Sequence, residues 1–141
     1  MRVMGLDYGS KRIGLAVSDE EGKFAFPAGV IHRSTKQSDL NAILSFIEEK
    51  AIEQIVLGLP LHMDGKEGSE AKKVITFSEE LRRLTRLPVA VVDERWTSIE
   101  AERALETVGG KKKARRKSGE IDASAASIIL RSWLDQAVNR K

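Results

Sequence analysis

The chain has 141 residues, 41% of them hydrophobic and 32% charged, which is enough apolar material for one core and too much for a disordered polypeptide. It has no cysteine, which excludes disulfides and thiolate chemistry, and with no apolar run long enough to span a membrane and no signal-peptide pattern a cytoplasmic location is expected. The net charge of +3 is uneven: six basic residues fall within residues 111–117, and the remainder nets −3.

Residues 2–7 alternate, with Val3, Gly5 and Asp7 opposite Met4 and Leu6. Residues 13–18 alternate again, and the glycine in "YGSKR" between them predicts a hairpin. "FAFPAGVI" predicts a third strand, which Pro27 assigns to an edge, with His32 at its end read as structural. The period then changes. Leu40, Ile43, Leu44 and Ile47 mark an amphipathic helix. "IVLGL" at 55–59 reads as a strand covered on both faces. Ala71, Val74, Ile75, Ser78 and Leu81 give a second helix, and "PVAVV" at 88–92 a second continuous apolar strand. Thr97 and Glu100 form a capping box for a third helix that should end near "VGG". A final helix is expected from about Ile121 to Ala137, with Trp133 on its core side. This order predicts an α/β fold in three layers: a mixed five-stranded sheet, its first three strands antiparallel and two parallel strands added, flanked by helices.

Three acidic positions fit a simple core poorly. Asp7 ends the first strand, Asp93-Glu94 ends the last, and Asp122 shares a helix face with Ala126, Ile129 and Trp133. Carboxylates gathered at one end of a sheet repel unless a cation lies between them. Oxygen donors without His or Cys select a hard ion, Mg²⁺ or Mn²⁺. Each residue also has an ordinary role open to it: Asp7 in the hairpin turn, Asp122 at a helix dipole, Asp93 or Glu94 paired with Arg95 or Arg12.

"GLDYGSKRIGLAVSD", "GLPLHMDG", "VDERWTS" and "IDASAASIIL" resemble, in order and over nearly the whole chain, the signature blocks of the bacterial YqgF/RuvX family. The resemblance implies one RNase H-like nuclease domain over residues 1–141. It implies a hydrolase that cuts phosphodiester bonds, described both as the nuclease that matures the 5′ end of pre-16S rRNA and as a Holliday junction resolvase. A scaffold that binds nucleic acid without cutting is a further alternative. Carried over by position, Asp7, Glu94 and Asp122 are the implied catalytic and metal-holding residues, with Asp93 as alternate to Glu94. Related resolvases carry another acidic residue three positions after the helix aspartate; here Ala125 stands there, which questions a full two-metal cage.

The expected partners are precursor rRNA, branched DNA or both, with ribosome association. Lys11, Arg12 and Arg95 would hold phosphates beside the carboxylates. Lys111, Lys112, Lys113, Arg115, Arg116 and Lys117 would form a mobile basic arm at about 109–118. The glycine-rich "GLPLHMDGKEG" is read as a substrate-facing loop, His62 as an ordinary loop histidine, and Trp96 as core or a base-stacking residue.

Overall fold

The computed structural model describes residues 1–60, 68–93 and 118–139, without the side chains of 118–121 and 137–139. Five strands, β1 (Val3–Tyr8), β2 (Arg12–Ser18), β3 (Ala25–His32), β4 (Gln54–Leu59) and β5 (Val89–Asp93), form one sheet in the order β3-β2-β1-β4-β5. β1–β2 and β2–β3 pair antiparallel, whereas β1–β4 and β4–β5 pair parallel. The helices are α1 (Lys36–Lys50), α2 (Ser69–Thr85) and α3 (Ser118–Asn139). The mixed sheet and its strand order are those the sequence predicts. The capping-box helix from Thr97 lies outside the described residues.

Alternation along the strands divides the side chains into two cores. Met4, Leu6, Ile13, Leu15, Ile55 and Leu57 meet Leu40 and Ile43 of α1 and Val74, Phe77 and Leu81 of α2. On the other face Val3, Ala16, Val56 and Val92 meet Ala126, Ile129, Leu130 and Leu134 of α3. Trp133 packs at the margin of this second core, half-buried.

β3 is an edge strand, as Pro27 requires, and a register irregularity at Leu15/Ala16 accompanies Gly29 at φ 128°. β5 departs from its apolar reading. It is the opposite edge of the sheet, and among the described residues Val91 is 43% exposed. An unbroken apolar run therefore does not mean cover on both faces. α3 also starts three residues before the predicted Ile121, because apolar periodicity marks the packed face and not the first turn.

The α3 face of the sheet is made of small residues where the helix crosses it. A Cβ at Gly5 would stand 2.8 Å from Leu130 Cβ and 2.9 Å from the Ala126 carbonyl oxygen. At Gly14 a Cβ would overlap the Asp122 carbonyl. With Ala123, Ala125 and Ala126 on the helix side, backbone meets backbone. That proximity fixes where α3, from its second turn onward, lies over the hairpin.

Candidate active site

Asp7 pairs across the hairpin with Gly14, and the backbone of Asp122 rests on Gly14. Two carboxylates 115 positions apart in sequence are thus delivered to the same end of the sheet, on the α3 face. Both line a cleft of 370 Å³ together with Lys11, Arg12, Gly58 and Pro60. The cleft opens beyond the C-terminal ends of the parallel strands β1 and β4, where open α/β sheets seat their ligands. Gly58, near the end of β4, and Pro60, just beyond it, belong to the stretch read as substrate-facing; residues 61–67 of that stretch, with His62, lie outside the described residues.

Arg12 donates from Nε to Asp122 Oδ2 at 2.7 Å, with the two side chains 31% and 21% exposed. The cation expected to face phosphate therefore also neutralises one of the candidate metal ligands, Asp122. Lys11 is exposed at the cleft rim. The donor set, carboxylate oxygens beside two cationic side chains, is chemically suited to a hard divalent ion and a phosphate. Among the described residues, Asp7 and Asp122 are not joined by a third close acidic or histidine donor.

Asp93 ends β5 opposite Leu59. Its neighbour Val92 packs against α3, so strand alternation turns Asp93 to the other face of the sheet, away from Asp7 and Asp122. Glu94, Arg95, Trp96 and the basic residues 111–117 lie outside the described residues. Ala125 is 3% exposed in the second core, so the position three after Asp122 packs on the sheet. His32 is exposed on the edge strand and takes no part in the cleft.

Two features escaped the sequence. Glu70, in the first turn of α2, also lines the cleft; only the crossover that places α2 beside β4 reveals it. The second is a network that holds the hairpin loop. Arg33 donates from one terminal nitrogen to the Gly9 carbonyl at 2.7 Å and from the other to Tyr8 Oη at 2.9 Å. Its Nε lies 3.4 Å from Oδ2 of Asp39, a carboxylate 5% exposed that also accepts from the Ser34 amide. The loop between Asp7 and Arg12 is therefore clamped by Arg33, the residue that follows β3. Arg33→Met should destabilise the fold by about 2 kcal/mol, since Asp39 loses its partner. Asp39→Asn combined with it should recover part of that loss, read as a coupling energy in a urea-unfolding double-mutant cycle.

The family model described as RuvX, Holliday junction resolvase, matches residues 1–136. The chain belongs to the RuvX family. Among curated relatives of this RuvX protein, one from Anaeromyxobacter sp. is 44% identical over 135 residues, covering 96% of this chain and 97% of the relative. One from Caldanaerobacter subterraneus is 42% identical over 139 residues, covering 99% of each. Both are provisionally named pre-16S rRNA nucleases. Among solved structures, RuvC of Thermus thermophilus in complex with a Holliday junction substrate superposes with a TM-score of 0.61 at 19% identity, covering 99% of this chain and 96% of that one. The fowlpox virus Holliday junction resolvase gives 0.57 at 15%, covering 96% and 99%. At those identities the likeness shows the fold: the RuvX chain has the RNase H-like architecture of the junction resolvases.

Proposed function

We propose that this chain is a cytoplasmic, divalent-metal-dependent nuclease, one domain over residues 1–141, that works with the ribosome to mature the 5′ end of pre-16S rRNA. The observation that carries the reading is the convergence of Asp7 and Asp122 on one cleft beside Lys11 and Arg12. The relatives' name supplies the substrate. The family description favours a second reading, resolution of four-way DNA junctions by the same chemistry.

Asp7 and Asp122 would hold the ion, Mg²⁺ or Mn²⁺, with Glu94 as the third carboxylate because Asp93 projects to the other face. When bound, the ion supplies activation of water and stabilisation of the leaving oxygen. Lys11 and Arg12 hold the scissile phosphate, with Arg95 and the basic residues 111–117 extending the grip. Arg12 also keeps Asp122 oriented through the 2.7 Å bond. Ala125, buried against the sheet, adds no further carboxylate from α3.

The test is Mn²⁺-dependent cleavage of 5′-labelled precursor rRNA beside an equal amount of four-way junction. Cleavage of the RNA supports maturation, and paired symmetric nicks in the DNA support resolution. If neither is cut, the nuclease reading falls. In the same assay Glu94→Gln should lose roughly 100-fold in rate, and Asp93→Asn should stay close to wild type. The reverse ranking would assign the third ligand to Asp93.

A further inference from the structure

Consecutive residues at the end of β1 face different sides of the sheet. Asp7 opens onto the cleft on the α3 side, while Tyr8 packs with the α1/α2 core and lines both that cleft and a second groove. The second groove has a volume of 320 Å³. Among the described residues its cationic lining is Arg33, Lys36, Lys72 and Lys73, against a single carboxylate, Glu80, which lies 2.5 Å from Lys36.

The floor of this groove is rigid. The Tyr8 ring stacks on Phe77 at 4.2 Å between centroids, and the Arg33 guanidinium sits 4.5 Å from the Tyr8 centroid. Arg33 is itself fixed by Gly9, Tyr8 and Asp39. On the rim, Lys72 and Lys73 are exposed on α2, and Lys73 lies 3.8 Å from Glu70, a wall of the first cleft. The two depressions thus meet at Tyr8 and again at the Glu70–Lys73 pair. A fixed aromatic floor under lysine ammonium groups suits a flexible polyanion better than a folded protein surface.

We propose that this groove is a second phosphate-binding site, taking the sugar-phosphate backbone of single-stranded nucleic acid a few nucleotides from the bond held in the cleft. The strand would pass over the end of β1, from the α3 face to the α1/α2 face, with Lys72 and Lys73 gripping it most directly. This inference rests on the nucleic-acid reading of the first cleft.

The test is fluorescence anisotropy of a labelled single-stranded RNA of about 20 nucleotides and its DNA counterpart, across a salt series without divalent metal so that nothing is cut. Each phosphate of a single strand that the protein ceases to neutralise lowers the log–log salt slope by about 0.7. Lys72→Gln with Lys73→Gln should therefore flatten the slope by about 1.4 and weaken binding roughly tenfold near 0.1 M salt. Lys23→Gln with Lys50→Gln removes the same charge from an exposed and a half-buried lysine at the far end of the sheet and should leave the slope as it is. Equal losses in the two double variants would overturn the groove, since net charge alone would explain them. A groove variant that binds like wild type also sinks it, and leaves the nuclease standing. If wild type binds neither strand, both readings fail. If the groove variant loses affinity while wild type cuts nothing with Mn²⁺, the groove stands and the nuclease falls. Equal effects on RNA and DNA mean that the backbone is read, and a loss confined to RNA means that the 2′-hydroxyl takes part.

Discussion

Asp7→Asn should lower metal-dependent cleavage by roughly 10²–10³-fold, the scale for losing one preorganised charge at a reacting centre. The amide matches the carboxylate in volume, so the strand and its pairing with Gly14 are retained. The charge is what disappears. Single-turnover rates at saturating RNA would show the loss in the rate constant rather than in the half-saturating concentration, because under the proposed function Lys11 and Arg12 would still hold the phosphate. Raising Mn²⁺ should recover part of the activity if the carboxylate binds the ion. A variant that cuts as fast as wild type would demote Asp7 to a turn-stabilising role.

Gly14→Ala should have the largest effect on stability. The added methyl would occupy the space of the Asp122 carbonyl, a backbone atom that cannot swing aside as a flexible side chain could. Either α3 lifts off the sheet or β2 bends, at a cost of about 3 kcal/mol. Activity should fall further than stability, because any shift of the second turn of α3 carries Asp122 away from Asp7 and strains its bond to Arg12. Urea midpoints and cleavage rates measured on the same samples would separate the two losses. Gly29→Ala is the contrast: a Cβ there meets nothing within 4 Å, so only its φ of 128° resists, at about 1–2 kcal/mol. It lies on the edge strand away from the cleft and should leave the rate intact. Equal stability losses in the two variants would mean that contact with α3 is not what Gly14 provides.

The strands and helices were legible because alternation and 3.6-residue periodicity report burial directly. Met4 and Leu6 face one core and Val3 the other, as the pattern in β1 requires. Asp7 and Asp122 were legible for a different reason: each stands where an apolar residue would pack at lower cost. Exposure of β5 was hidden, since sequence shows what a strand could bury and not whether the sheet continues past it. Glu70 and Asp39 were hidden too. Glu70 looks like any first-turn glutamate until the crossover sets it beside the cleft. Asp39 looks like a solvated helix-start residue until the fold brings Arg33 against it.

The close seating of α3 on Gly5 and Gly14 bears on when the protein can act during its own synthesis. The hairpin bearing Asp7 and Arg12 is translated early, but Asp122 follows Arg12 by 110 positions. At roughly 5–20 residues per second, that interval is on the order of 5–20 s. Throughout it the nascent chain lacks the helix that completes its cleft, and the α3 face of its sheet, with Val3, Ala16 and Val56, waits uncovered. A chain emerging among RNA-rich ribosomes would therefore gain its cutting competence in one late step, when the last helix docks.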